Sequence, residues 1–162
     1  MRAAVAGLQR YLPQFLVMLA PTVNSYARLV KGAWAPTAAT WGIENRTAAI
    51  RVIPGDSQSQ RVEVRVGGAD ANPYLVQAAA LAAMEIGLQE AMTPDEPVAG
   101  NAYEAEDDLP IEYHFAADLA TAAGQFAQSS AAKARFGEAF VDHFAMTRQW
   151  EAVSYTHLTL PT

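Results

Sequence analysis

Cysteine is absent from the 162-residue sequence, so nothing in it implies disulfide bonds or an oxidising compartment. Long apolar runs are absent as well. The apolar stretch over residues 15–20 is too short to cross a bilayer, and no basic segment of a cleavable signal precedes it. These absences favour a cytoplasmic protein with no membrane partner.

Positive charge is scarce and unevenly placed. Eleven Lys and Arg stand against seventeen Asp and Glu, which gives a net charge of −6. Residues 1–65 hold eight of the basic residues and three acids, whereas residues 66–162 hold three basic residues and fourteen acids. This balance argues against a general nucleic-acid binder, and the basic segment suits a small anionic ligand better than a long polyanion.

The length and the apolar content of 51% predict one packed domain, or part of a larger one. Asn72 followed by Pro73 is a strong start signal for a helix. Pro13 should break or kink the first helix and leave a separate short element after it. The acidic residues 93–109 are interpreted as a surface loop. Apolar periodicity and these signals predict helices over residues 1–19, 72–92, 110–128 and 131–150.

Two strands are predicted, over residues 46–53 and 60–66. In the second strand Arg61, Glu63 and Arg65 share one face, and the valines that alternate with them share the other. The valines belong to the core, so we expect the charged face to border a cleft or solvent. We predict that Arg61, Glu63 and Arg65 all point into one cleft, which Arg28 and Arg46 also face.

Arginine is concentrated before residue 66, with five arginines and only three acids between positions 28 and 65. The planar guanidinium holds carboxylates and phosphates with two parallel hydrogen bonds and keeps its charge. Such a cluster around one carboxylate predicts a site for a polyanionic substrate and a metal. The ordinary alternative is a solvated strand face with exposed ion pairs. Arg46 and Arg51 would lie on opposite faces of a regular strand, and only a bulge or a later strand start would bring both to one site.

Phe136, Phe140 and Phe144 line one face of the last predicted helix, which indicates core packing. His114 and His143 have no partner at metal-ligand spacing and are interpreted as exposed or core histidines.

Several motifs follow one another in the central part of the chain: Pro21-Thr22-Val23-Asn24-Ser25-Tyr26-Ala27-Arg28-Leu29-Val30, Ala35-Pro36, Glu44-Asn45-Arg46-Thr47-Ala48-Ala49-Ile50-Arg51, Arg61-Val62-Glu63-Val64-Arg65 and Asn72-Pro73-Tyr74-Leu75. In this order and spacing they resemble the C-terminal catalytic domain of glutamine synthetase over roughly residues 1–152. The stretch from Trp34 to Arg46 is most similar to a type III-like bacterial branch. That branch includes ligases that join glutamate to methylamine or other amines.

The resemblance implies a fold and an activity. The fold would be α+β, a fragment in which antiparallel strands form a cleft face and helices pack behind them. The intact protein would be an ATP-dependent ligase that joins glutamate and ammonia through a γ-glutamyl phosphate, in a ring-forming homo-oligomer. The alternatives are a ligase for methylamine or another amine, and a non-catalytic relative that serves in assembly.

The resemblance also implies roles for three arginines toward the amino acid. Arg28 and Arg65 would hold the carboxylates of glutamate. Arg46 would be catalytic, because its charge would stabilise the phosphoryl group during transfer to the γ-carboxylate.

Three further residues would serve the nucleotide and its metal. Arg51 and Arg61 would contact the phosphates of ATP or their surroundings. Glu63 would ligate Mg²⁺ or Mn²⁺, which are hard cations that prefer carboxylate oxygen.

Trp34 departs from the pattern of ordinary bacterial glutamine synthetases, which carry a glutamate at this position of the loop before Ala35-Pro36. That glutamate helps to close the site and takes a proton from ammonium. An indole cannot accept this proton, but its face attracts an alkylammonium by roughly 0.5–2 kcal/mol. Trp34 is thus a possible amine-site residue, the alternative being that it only packs the loop.

Tyr103 stands about where one branch of the family carries an adenylylated tyrosine. Its acidic surroundings differ from the usual ones, so we interpret it as an ordinary loop tyrosine.

Two features of the sequence limit the resemblance. The other metal ligands of the family come from segments not found here, so the chain alone is expected to be inactive. Residues 153–162 resemble a translated sequencing adapter and are interpreted as a foreign tail.

Overall fold

The computed structural model describes residues 1–159. Within these residues it has an α+β architecture, which confirms the predicted class. Seven α-helices surround one small sheet: α1 (Arg2–Leu19), α2 (Val23–Tyr26), α3 (Pro73–Gln89), α4 (Ala102–Ala105), α5 (Leu119–Gln128), α6 (Ser130–Phe136) and α7 (Glu138–Thr159). The strands are β1 (Trp41–Ile43), β2 (Ile50–Ile53) and β3 (Arg61–Val64).

Helix α1 continues through Pro13 as a single helix. The separate element predicted after Pro13 is therefore wrong. A proline inside a helix costs roughly 3 kcal/mol, because it removes a backbone hydrogen bond and crowds the preceding turn. Leu12 and Leu16 on either side of Pro13 are completely buried, and burial of each such side chain stabilises by about 1.5–3 kcal/mol. Core packing thus outweighs the cost of the proline.

Helices α1 and α3 touch through their backbones at two glycines. A Cβ atom added to Gly7 would lie 2.9 Å from the Cα of Gly87 and still closer to the carbonyl oxygen of Ala83. A Cβ added to Gly87 would lie 2.8 Å from the Cα of Gly7. Only residues without side chains allow this approach, so the crossing of the two helices depends on both glycines.

The sheet has the order β1-β2-β3, with β2 in the centre. Strands β2 and β3 pair antiparallel, as expected for the predicted pair. Strand β1 was not predicted, and it joins the other edge of β2 in parallel. At three residues, β1 is too short to show an alternating pattern in the sequence.

The antiparallel register places Val62 opposite Val52 and Val64 opposite Ile50. All four side chains pack against the hydrophobic core, as the alternation predicted. The intervening residues therefore lie on the other face of the sheet, which is where the candidate site is found.

The second half of the chain is more finely divided than predicted. Residues 93–109 contain α4 and a short 3₁₀ turn, Glu106–Asp108, rather than a continuous loop. The helix expected near residue 110 begins only at Leu119, because Asp118 caps it by accepting a hydrogen bond from the Thr121 amide at 2.7 Å. The helix expected over 131–150 is two helices, which meet at Gly137 in a left-handed conformation (φ 83°).

The phenylalanine stripe, which runs from the end of α6 onto α7, packs against the core, which confirms its interpretation. Phe136 lies at the start of this cluster, with its ring centroid 5.3 Å from that of Phe15 on α1. Phe140 and Phe144 stack with centroids 5.5 Å apart. The cluster joins the first and last long helices of the chain.

The backbone of α7 continues to Thr159, and residues 160–162 of the predicted foreign tail lie outside the described residues. The origin of residues 153–162 stays a prediction. Within residues 1–159, no helix is long and apolar enough to cross a membrane.

We expect Gly7→Ala to lower the free energy of unfolding by about 1–3 kcal/mol, because the new methyl group meets rigid backbone atoms of α3. Urea denaturation followed by circular dichroism measures the change. Gly124→Ala in α5 is the control, because no other part of the described chain lies within 4 Å of its added Cβ. That variant should be as stable as the wild type or gain about 0.5–1 kcal/mol. A Gly7→Ala protein as stable as the wild type would contradict the backbone contact.

Candidate active site

The carboxylate of Glu63 forms ion pairs with two arginine side chains, one on each of its oxygens. Nε of Arg65 lies 3.1 Å from Oε1, and Nη1 of Arg51 lies 3.2 Å from Oε2. Arg51 reaches Glu63 across the sheet, because the antiparallel register places the two residues directly opposite each other. The two arginine side chains are only 17% exposed, whereas Glu63 is 42% exposed. The two guanidinium groups of this network are therefore largely shielded from solvent, whereas its carboxylate is partly exposed.

Glu44, at the end of β1, adds a second carboxylate to Arg51. Its backbone is left-handed (φ 52°), which turns the chain after the strand. Its Oε2 accepts hydrogen bonds from Nη2 of Arg51 and, at 3.1 Å, from Nε. The bond to Glu44 is the main reason that the pKa of Arg51 is raised above its ordinary value. Arg51 is thus held between carboxylates that follow β1 and lie on β3.

Arg65 fixes the turn that precedes β2. Its Nη1 donates to the carbonyl oxygen of Arg46 and, at 3.3 Å, to that of Ala48. Arg46 lies in this turn because β2 starts only at Ile50, later than predicted. Of the two arrangements left open by the sequence, the structure therefore has the late strand start. The side chain of Arg46 is exposed, and within residues 1–159 it forms no ion pair.

Arg61 shares the face of Glu63 by strand register, but its guanidinium does not contact that carboxylate. Nη1 of Arg61 instead donates to the carbonyl oxygen of Ser59, at 3.1 Å, in the turn before β3. The prediction that Arg28, Arg46, Arg61, Glu63 and Arg65 converge on one cleft is thus supported by direct contacts only for Glu63 and Arg65.

Arg28 lies at the far end of β3, where its Nη2 donates to the carbonyl oxygen of Val66 at 2.7 Å. Asp70 connects this region to the start of α2. Its Oδ2 accepts hydrogen bonds from Ser25, at 2.6 Å, and from Thr22, at 2.8 Å. The bond from Ser25, followed by that from Thr22 and the charge of Arg28, holds the pKa of Asp70 below its ordinary value. The negative Asp70 therefore helps to position the segment that carries Arg28.

Trp34 forms one wall of a cavity of about 350 Å³, whose other walls are Gly32, Thr47, Asn101 and Tyr103. The indole is 69% exposed, so it does not pack into the core. Its backbone is left-handed (φ 59°), a conformation that non-glycine residues seldom adopt. The cavity brings the predicted amine-site residue beside the turn that carries Arg46.

The side chains of Asn45 and Thr47 bind the backbone of the acidic segment, residues 93–109. Neither residue was predicted from the sequence as a site residue. The side-chain Nδ2 of Asn45 donates to the carbonyl oxygens of Val98, at 3.0 Å, and Gly100, at 2.8 Å. The Thr47 hydroxyl accepts from the amide of Ala102 at 2.8 Å. The only available signal was local, because Asn45 also caps its own turn through the Thr47 amide at 2.9 Å.

Glu63 has the right chemistry for a divalent cation, but it does not make a metal site by itself. Mg²⁺ prefers a shell of roughly six oxygen ligands. Within residues 1–159, no group of three or more Asp, Glu, His or Cys side chains is arranged to hold a metal ion. His114 lies near a single carboxylate, that of Glu106, and His143 is exposed.

The sequence that builds this α+β domain and its arginine–carboxylate network also matches a known protein family. The family model described as glutamine synthetase, catalytic domain, matches residues 1–161. The chain belongs to this family.

Its relatives include glutamine synthetases and a glutamate–amine ligase. Type-1 glutamine synthetase 2 of Dictyostelium discoideum is 43% identical over 157 residues, which are 96% of this chain and 30% of that protein. A glutamate–isopropylamine ligase of Pseudomonas sp. is 37% identical over 147 residues, 91% of this chain and 32% of that protein. The solved structure of GmaS in complex with ADP superposes with a TM-score of 0.83 at 30% identity, over 99% of this chain and 37% of GmaS. The chain thus spans about a third of the length of these relatives.

We expect Asp70→Asn to destabilise the protein at pH 7 and to make its stability less sensitive to acid. Because the folded protein lowers the pKa of Asp70 below the ordinary 3.8, its carboxylate stabilises the fold above that pH. This contribution is lost as the pH falls below 3.8 toward the lowered pKa. The unfolding free energies of the two proteins, measured by urea titration at several pH values, should therefore converge in acid.

Asp108→Asn is the control, because Asp108 is exposed and the described part of the chain gives its side chain no hydrogen bond. A difference between wild type and Asp70→Asn that is the same at pH 7 and pH 3 would contradict the role of Asp70.

Proposed function

We propose that this chain supplies part of the active site of an ATP-dependent ligase that forms a γ-glutamyl amide from glutamate and ammonia. The observation that carries the proposal is the Arg51–Glu63–Arg65 network inside a glutamine synthetase catalytic domain. ATP would phosphorylate the γ-carboxylate of glutamate. Ammonia would then attack the acyl carbon of γ-glutamyl phosphate and form the C–N bond of the amide. The C–O bond would break, inorganic phosphate would leave with its electron pair, and the nitrogen would lose a proton.

The arginines near the turn before β2 suit the amino acid and the transferred group. Each guanidinium has five N–H donors, and Arg28 uses one of them for the Val66 carbonyl. Arg28 and Arg65 therefore keep donors for the carboxylates of glutamate. Arg46, whose exposed side chain extends from a turn fixed by Arg65, is proposed to neutralise charge on the phosphoryl oxygens during transfer.

Arg51, Arg61 and Glu63 are proposed to serve the nucleotide and its divalent ion. Arg51 and Arg61 would contact the phosphates of ATP. Glu63 would give one oxygen ligand to Mg²⁺ or Mn²⁺. The remaining ligands would belong to the two thirds of the relatives that this chain does not span, so we expect the 162-residue chain alone to be inactive.

The complete ligase would be a cytoplasmic, ring-forming homo-oligomer of glutamine biosynthesis. A non-catalytic assembly module is the alternative. The network argues against that alternative, because assembly alone does not require two arginines held on one carboxylate on the outer face of the sheet.

A small primary amine is a second candidate for the nucleophile, and Trp34 is the observation that favours it. The indole wall of the cavity is exposed and apolar, and it has no basic atom to take a proton from ammonium. Its face would attract an alkylammonium by roughly 0.5–2 kcal/mol. We propose that the complete ligase uses methylamine at least as well as ammonia.

In the full-length ligase, Glu63→Gln is expected to lower kcat/KM by about 100-fold or more and to raise the Mg²⁺ concentration needed for half-maximal rate. The amide removes a charged metal ligand and the counter-charge of two arginines. Measurement of ATP-dependent γ-glutamyl transfer against Mg²⁺ concentration tests both effects. Glu90→Gln is the control, since Glu90 is exposed at the end of α3. Unchanged metal dependence in Glu63→Gln would contradict the role of Glu63, and turnover by the 162-residue chain would contradict its expected inactivity.

In the same ligase, Trp34→Glu is expected to shift the preference from methylamine toward ammonia by about tenfold, because it restores a base and removes the aromatic face. The test is kcat/KM for both amines in the wild type and the variant. Trp150→Glu is the matched control, because Trp150 is as exposed as Trp34 but lies on α7. A wild-type preference for ammonia that Trp34→Glu leaves unchanged would contradict the role of Trp34.

A further inference from the structure

The loop of residues 31–37, called here the Trp34 loop, has an unfavourable backbone. Gly32 and Trp34 both adopt left-handed conformations, with φ values of 86° and 59°. Glycine adopts this conformation freely, but a residue with a bulky side chain does so only where surrounding contacts hold it. The exposed indole makes no core contact that would hold the loop. The restraint must therefore come from contacts on either side of Trp34.

Two side-chain hydrogen bonds link the C-terminal side of this loop to one distant segment, and a backbone bond from the Phe115 amide to the Thr37 carbonyl oxygen, at 3.0 Å, lies beside them. The Tyr103 hydroxyl donates to the carbonyl oxygen of Ala35 at 3.0 Å. The Thr37 hydroxyl donates to Oε2 of Glu106 at 2.6 Å. Tyr103 and Glu106 are one helical turn apart, on α4 and the 3₁₀ turn that follows it, so a single segment makes both contacts.

Burial makes these two contacts stronger than ordinary surface bonds. The side chain of Glu106 is only 7% exposed, and an unpaired carboxylate in such a place would be strongly destabilising. Burial also raises the pKa of Tyr103, so its hydroxyl keeps its proton at neutral pH and remains a donor. By contrast, Lys31 pairs with Asp107 at 2.8 Å where both side chains are exposed, and such a pair adds little.

The same segment forms part of the cavity. Tyr103 and Asn101 line it together with Trp34. A change in the position of this segment therefore alters both the backbone of the Trp34 loop and the width of the cavity.

We propose that Tyr103 and Glu106 are positioning residues that hold the Trp34 loop in its left-handed conformation and thereby set the shape of the amine cavity. The consequence for amine selection rests on the proposed function, whereas the restraint on the loop does not. The residues that determine the amine would then include two that belong to the acidic segment and not to the loop itself.

The decisive experiment uses Tyr103→Phe in the 162-residue chain, because this change removes the hydroxyl and keeps the ring. Hydrogen exchange of the amides in residues 31–37 should accelerate by roughly fivefold to tenfold, since the loop loses one of these two side-chain hydrogen bonds. In protein labelled with 5-fluorotryptophan, the ¹⁹F resonance of Trp34 should shift, and those of Trp41 and Trp150 should not. Tyr74→Phe is the matched control, because the Tyr74 ring is 80% exposed and lies at the start of α3.

A second pair of variants tests the other hydrogen bond without touching the acidic segment. Thr37→Val should accelerate exchange of the loop as Tyr103→Phe does, and Thr37→Ser, which keeps the hydroxyl, should restore the wild-type rate. The proposal would be overturned if both Tyr103→Phe and Thr37→Val left hydrogen exchange of the loop and the Trp34 resonance unchanged. This result counts only if the free energy of unfolding of both variants equals that of the wild type. Acceleration spread evenly over all helices would overturn the proposal too, because it would show a general loss of stability.

The full-length ligase tests the consequence for amine selection. Tyr103→Phe should raise the KM for the amine by about threefold to tenfold and leave the KM for ATP unchanged. If the full-length protein shows no ligase activity, the proposed function fails, but the exchange experiment still decides whether Tyr103 and Glu106 hold the loop.

Discussion

Two guanidinium groups meet at the carboxylate of Glu63, and the order of the whole charged face follows from this meeting. Arg51 is oriented by Glu63 and Glu44 together, which joins all three strands on one side of the sheet. Arg65, held by the other oxygen of Glu63, binds the carbonyl of Arg46 and fixes the turn before β2. Without the carboxylate, two cations would face each other across a half-buried strand pair, where their repulsion is poorly screened.

The sequence predicted the features of the fold that depend on local pattern. The alternation of Val62, Glu63 and Val64 identified the two faces of β3, because side chains alternate along any strand. The cap at Asn72 gave the start of α3 correctly. The errors arose where packing overrides local preference: Pro13 is tolerated because its neighbours are buried, and α6 and α7 separate at a glycine whose left-handed conformation no periodicity reveals.

The sequence predicted individual residues of the site, but it did not predict the hydrogen bonds that join distant segments around it. The alternation of charged and apolar residues in Arg-x-Glu-x-Arg predicts a charged strand face, and the structure places Glu63 and Arg65 in contact there. The hydrogen bonds from Tyr103 to Ala35 and from Thr37 to Glu106 join positions 68 and 69 residues apart. No spacing rule relates such positions, so only the folded chain could bring them to attention. Whether Arg28, Arg46, Arg51, Arg61 and Glu63 have the roles implied by the resemblance stays a prediction.

The backbone contact between Gly7 and Gly87 also bears on how fast the chain folds. The two residues are separated by the sheet and by most of the charged segment, and closing a loop of that length costs about 4 kcal/mol of chain entropy. Glycine adds to the cost because it is the most flexible residue in the unfolded chain. A contact of this kind forms after the local turns and hairpin, and it slows the folding of an otherwise helix-rich domain. Once formed, the contact must also be broken before the domain unfolds, so the pairing of α1 with α3 would lengthen the lifetime of the native state as well.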